Sequence, residues 1–221
     1  MTDIRVKASD QAILSWKDAC LVYLQPRVIL MLLLGFSAGI PFLLVYSTLT
    51  AWLTEVGVTR TAIGFFAWVG VTYSVKFFWA PFVDRLSIPI LGRMLGQRRS
   101  WMLLGQIGIA GGLWLLSTLN PQDDLSLFAV VAVLIAFSSA TQDIAIDAFR
   151  IEAADPRYQG AMSASYVFGY RLALLVAGAG ALYLADYYSW VVSYRLMACT
   201  LGVGVIAVVL SKEPEQRSTT E

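Results

Sequence analysis

Six side chains that carry or can carry charge sit within, or at the end of, long apolar stretches of this 221-residue chain: Lys76, Asp143, Asp147, Arg171, Arg195 and Glu152. An ionisable group at the middle of a bilayer costs at least ~2.5–3.5 kcal/mol, so such residues are retained for a partner or for function. Asp143 and Asp147 are four residues apart, which puts both carboxylates on one helix face, and Gln142 adjoins them. A carboxylate so placed can take up and release a proton as a neighbouring cation moves toward or away from it. Lys76 lies ~10 Å inside the end of its stretch and Asp143 ~12 Å inside the matching end of its own, so the two can meet at one depth. Arg171 is deeper still, ~20 Å from the start of its stretch, where its charge suits an anionic solute in an aqueous cavity. Structural readings stand beside these. Asp147 with Arg150 is also a helix-end ion pair, Lys76 with Asp143 an architectural bridge, and Arg195, about one turn inside its own end, a side chain that snorkels to the surface.

Composition removes most other chemistry. Hydrophobic residues make up 58% of the chain and charged ones 14%, against about 45–50% and 25% in a soluble domain. There is no histidine, which excludes His-based nucleophile systems, His-ligated haem and His-containing metal sites. Cys20 and Cys199 are far apart with no metal or redox spacing; both read as small apolar residues. No metal, no cofactor and no nucleic-acid partner are expected; the net charge of +1 is uninformative as a total, and its distribution is what matters. An aspartyl protease needs carboxylates on two neighbouring helices, whereas Asp143 and Asp147 share one, so an enzyme is not expected.

The elements that must position these residues are six membrane-crossing helices, since about 20 apolar residues span the hydrocarbon core. The expected spans are Val28 to Leu53, Thr61 to Phe82, Trp101 to Leu119, Leu125 to Phe149, Tyr158 to Ala185 and Trp190 to Leu210. Short polar connections join them, and the fold class is an all-α six-helix membrane bundle occupying residues 27–211. Residues 1–26 form a leader, either a surface amphipathic helix or a frayed polar segment, and residues 212–221 a polar tail. Twelve basic residues (Arg5, Lys7, Lys17, Arg27, Arg85, Arg93, Arg98, Arg99, Arg150, Arg157, Lys212 and Arg217) fall outside the spans on one face, and Arg60 alone on the other. By the positive-inside rule both termini are expected in the cytoplasm. Gly35 with Gly39 and Gly108 with Gly112 suit close helix packing.

The loop after the second span reads Ala80-Pro81-Phe82-Val83-Asp84-Arg85, then Gly92, Arg93, Arg98 and Arg99. An Asp-Arg at a helix end followed by Gly and several basic residues resembles the signature loop of the major facilitator superfamily, with Ala80 where that family has glycine. That loop and the stretch Gln142 to Ala148, followed by Glu152 and Gly160, are similar to the AmpG-type muropeptide permeases in the peptide, acetyl-CoA and drug transporter branch. The resemblance implies the N-terminal half of a major facilitator fold, its second six-helix half absent from this chain or supplied by a partner. It also implies proton-driven import, across the bacterial inner membrane, of an anionic disaccharide-peptide released in cell-wall recycling. On that reading Asp143, Asp147 and Lys76 serve proton coupling. Arg171, Gln142, Tyr73 and Tyr170 bind substrate, and Asp84, Arg85 and Arg93 latch the cytoplasmic side. Tyr46, Trp52 and Trp68 read either as further aromatic faces for sugar rings or, taken singly, as interfacial anchors or packing residues. The rival expectation is a self-contained six-span carrier or channel for another organic anion or drug, acting as a dimer.

Overall fold

The computed structural model describes residues 20–153 and 157–214. The leader helix, expected over residues 9–26, and the end of the tail therefore lie mainly outside the described residues. Six helical spans follow one another: α1 (Pro26–Glu55), α2 (Arg60–Phe78), α3 (Gln97–Leu116), α4 (Leu125–Ala153), α5 (Gln159–Tyr187) and α6 (Trp190–Leu210). No strand occurs among the described residues. Five of the six are long and apolar enough to cross a membrane. The remaining one, α3, has 20 residues but opens on Gln97, Arg98 and Arg99 and carries Gln106 and four glycines, which lower its hydropathy without shortening it.

The span boundaries lie close to expectation except in the second. Instead of one helix to Phe82, α2 is segmented into Arg60–Phe66, Val69–Ser74 and a 3-10 turn Lys76–Phe78, and a separate helix Ala80–Arg85 follows. Pro81 is the physical reason for the last break. It has no N–H to continue a helix but is tolerated in a first turn, and the chain restarts at Ala80 accordingly.

Small residues set the packing. An added Cβ on Gly39 would meet the Tyr170 carbonyl oxygen at 2.7 Å, while Gly35 lies against the Tyr166 backbone and Gly169 against the Leu32 and Phe36 backbone. Glycines on both helices thus let the α1 and α5 backbones touch, and this contact presents Tyr166, Tyr170 and Arg171 beside Phe42. Gly108 and Gly112 of α3 instead make room for the side chains of Ser138 and Ile135 of α4. Helix starts are capped locally. Asp124 Oδ1 accepts from the Leu127 N–H at 2.9 Å at the start of α4, and Ser189 Oγ from the Val192 N–H at 3.3 Å at the start of α6.

Two irregularities lie side by side. α1 contains Pro41 and breaks at Tyr46, and α5 contains a π-turn at Val176–Gly180. Thr48 Oγ1 donates to the Ala177 carbonyl at 2.8 Å, and the Tyr194 hydroxyl donates to the Leu44 carbonyl at 2.8 Å. Side chains thus take up carbonyls next to each break, as a membrane interior requires. Trp52 takes the packing reading: it is buried, stacked on Trp190 at 5.7 Å between ring centroids and in contact with Phe128 and Tyr194. Its apolar area serves the core at that end of the bundle. Trp68 is 70% exposed and takes part in none of the ring contacts described below. Cys199, expected to pack as a small apolar residue, is free and exposed, as is Cys20.

Candidate functional site

Arg171 and Tyr170 both line an open groove of about 430 Å³ together with Phe42, Tyr166, Val167 and Leu174. From the start of α5 at Gln159, twelve residues place Arg171 ~18 Å along the helix, near the middle of a span. Arg171 is exposed to the groove, and no carboxylate among the described residues lies within ion-pair distance of it. Its guanidinium is therefore available to a solute.

A row of aromatic rings continues from the groove toward α2. Ring centroids are 6.4 Å apart for Tyr166–Tyr170, 6.5 Å for Tyr170–Phe42, 5.0 Å for Phe42–Tyr46 and 6.1 Å for Tyr46–Tyr73. Three helices contribute, and each ring offers a flat apolar face with, in the tyrosines, a hydroxyl at its rim. The Tyr73 hydroxyl lies beside Ser139 but has no hydrogen-bond partner among the described residues.

Asp143 lies behind this row. It interacts electrostatically with Tyr73, Tyr166 and Tyr170, and with Lys76 and Asp147. Its Oδ1 is closed off from solvent and has no hydrogen-bond partner among the described residues. The expected meeting of Lys76 and Asp143 is thus an attraction across a gap, with no ion pair within 4 Å. Lys76 sits in the 3-10 turn Lys76–Phe78, so the segmentation of α2 decides where its ammonium lies. Asp147 takes the plainer of its two readings. It pairs with Arg150 at 3.2 Å at the end of α4, half-exposed, and Arg150 also donates to Ser163 Oγ at 2.7 Å.

Gln142 is placed elsewhere than expected. It is fully buried between helices, its Nε2 donating to Ser37 Oγ at 3.2 Å and its Cβ packed against Gly105. The spacing explains this: one residue before Asp143 is a 100° turn away, which directs Gln142 into the α1–α3–α4 interface instead of the groove.

The Asp84 end of the bundle is closed by ion pairs, with a different cation from the ones expected. Arg98 donates to Asp84 Oδ1 at 2.8 Å and to Glu152 Oε1 at 2.6 Å, tying the Ala80–Arg85 helix to α3 and α4. Trp101 Nε1 donates to the Leu86 carbonyl at 2.7 Å, which pins the loop. Glu213 accepts from the Arg98 and Arg99 backbone N–H groups at the start of α3, and the Arg99 guanidinium donates to the Val208 and Val209 carbonyls at the end of α6. Arg85 and Arg93 are exposed and make no ion pair or hydrogen bond among the described residues. The resemblance to the signature loop pointed to them, but Arg98 is the basic residue that a helix start aims back at both carboxylates. Substituting Arg98 by Gln would leave Asp84 and Glu152 facing each other without a cation. The expected cost lies between the ~1 kcal/mol of an exposed pair and the ~3–5 kcal/mol of a buried one, because all three groups are partly solvated. A lowered melting temperature of the purified protein checks it, and an unchanged one would make the network dispensable.

An all-α bundle with spanning helices, small-residue packing, buried ionisable groups and an open half-groove defines the class of multi-pass membrane transporters. The sequence matches the Major Facilitator Superfamily over residues 28–221, and the chain belongs to that family. It is similar to the anhydromuropeptide permease of Escherichia coli strain K12, 41% identical over 194 residues, which cover 87% of this chain and 39% of that protein. It is also similar to a Rickettsia conorii protein named as transporter AmpG 4, 39% identical over 191 residues covering 86% of this chain and 46% of that protein. The chain thus spans between about two fifths and a half of the length of these relatives.

Proposed function

We propose that this chain forms one half of the transport path of a proton-coupled muropeptide importer in the bacterial inner membrane. Arg171 and the ring row would bind the substrate and Asp143 would carry the proton. The observation that carries the reading is Arg171 on an aromatic-lined groove without an acidic partner among the described residues, backed by the Asp143 Oδ1 atom, which has no hydrogen-bond partner among them either. An anhydro-disaccharide peptide presents carboxylates for a guanidinium and sugar faces for aromatic rings. The names of the similar permeases support this substrate class. A second six-helix bundle, on the same chain or a partner, would complete the cavity, since the groove is open on one side. Binding of the disaccharide-peptide to the purified full-length protein, compared with the same compound amidated at its peptide carboxylates, tests the assignment. Weaker binding of the amidated compound is expected, and equal binding of the two would remove the anion requirement.

The Asp84 end would face the cytoplasm, because eight basic residues expected on that face, Arg27, Arg85, Arg93, Arg98, Arg99, Arg150, Arg157 and Lys212, fall among the described residues against Arg60 on the other. Cysteines introduced at positions 57 and 122 should react with an impermeant reagent from outside and one at position 95 should not. The reverse pattern would invert the topology.

A further inference from the structure

Arg195, on α6, is not among the residues that line the groove and takes no part in the site described above. It is five residues into α6, ~7.5 Å from the end of the helix, at the end of the bundle remote from the Asp84 ion pairs. Its guanidinium stands 5.3 Å over the ring of Trp114, and its Nε donates to Ser117 Oγ at 3.3 Å. Both Nη groups have no partner among the described residues, and no carboxylate there lies within ion-pair distance. The surrounding surface of α3 and α6 is apolar and outward-facing, with Ile107, Leu115, Val192 and Leu196 all exposed and Trp114 49% exposed.

An exposed, forked cation set among exposed apolar side chains near the end of a spanning helix needs an anion, and the anion a bilayer supplies at that depth is a phosphate. The groove is lined from α1 and α5, with α2 and α4 behind it, whereas Arg195 and Trp114 belong to α6 and α3, which pack on each other. A second bundle covering the groove would therefore leave Arg195 facing lipid. We propose that Arg195, held by Trp114 and Ser117, binds the headgroup phosphate of an anionic phospholipid. The Ser117 bond fixes the plane of the guanidinium, the indole face keeps its charge from wandering, and the free Nη edge receives two phosphate oxygens. A headgroup carrying its own ammonium would offer that ion as a competing partner for the phosphate, so net-anionic lipids are preferred.

Native mass spectrometry of the purified full chain tests this, with phosphatidylglycerol and phosphatidylcholine of matched acyl chains as probes. The wild type is expected to retain phosphatidylglycerol in preference, and Arg195→Gln to lower that preference about tenfold, the scale of one charge-assisted hydrogen bond. Arg195→Lys should keep part of it. Trp114→Leu, which leaves the cation in place, should lower it about threefold and serves if Arg195→Gln does not yield monodisperse protein. Equal retention of the two lipids by the wild type, or an unchanged preference in monodisperse Arg195→Gln, or in Trp114→Leu where Arg195→Gln is not monodisperse, would overturn the proposal. Displacement of the lipid by excess inorganic phosphate would assign the site to the free ion instead and overturn the lipid assignment.

Discussion

Asp143→Asn is expected to abolish accumulation of substrate against a gradient while leaving exchange of substrate for substrate intact. Asn keeps the shape of the side chain and its carbonyl oxygen but cannot take up and release a proton. One unit of pH across the membrane is worth 1.36 kcal/mol, about tenfold accumulation for one proton per substrate, and the variant should lose that ratio entirely. The structure adds a second readout. The Oδ1 atom is shut off from solvent without a hydrogen-bond partner among the described residues, and Lys76 attracts it only across a gap. An unpaired buried carboxylate is costly, so a neutral amide should leave thermal stability unchanged or raise it. An architectural Lys76–Asp143 bridge predicts the opposite, a loss of stability with coupling intact. Uptake and melting temperature measured on the same full-length preparation separate the two.

Arg171→Ala is expected to weaken substrate binding by more than tenfold without impairing folding. Truncating one partner of a desolvated, hydrogen-bonded charge pair costs about 2–5 kcal/mol. Arg171 faces the groove beside Tyr170 and Phe42, and no acidic side chain among the described residues depends on it for neutralisation. Arg171→Lys keeps the charge but loses the planar fork that matches a carboxylate, and should fall between wild type and Ala. Affinity measured by calorimetry on monodisperse variants gives the result, and an Ala variant with wild-type affinity would remove Arg171 from the substrate site.

How legible these residues were in the sequence follows from physics. The spans were readable because bilayer thickness sets their length, and α6 has the expected limits of Trp190 and Leu210. The segmentation of α2 was less so: Pro81 marks a break, but which earlier residues bend the chain depends on packing around Tyr46 and Tyr73. Arg171 was conspicuous as a charge in an apolar run. Phe42 and Tyr166 were not, since an aromatic residue in a spanning helix reads equally as packing, and only the close α1–α5 contact at Gly35, Gly39 and Gly169 brings their rings into line. Gln142 misled for a related reason, because its polarity marks a buried interface as readily as a binding site. Arg98 was hidden among four basic residues whose order says nothing about reach. Its position at the first turn of α3, beside Glu152 at the end of α4, is a tertiary fact.

Proton coupling can be measured as uptake of labelled anhydro-disaccharide peptide by proteoliposomes holding the full-length protein, under an imposed inward proton gradient. Accumulation above the external concentration that collapses when a protonophore dissipates the gradient is expected, and none in Asp143→Asn. Uptake that never exceeds equilibrium, or accumulation that survives the protonophore, would rule out a proton-coupled importer.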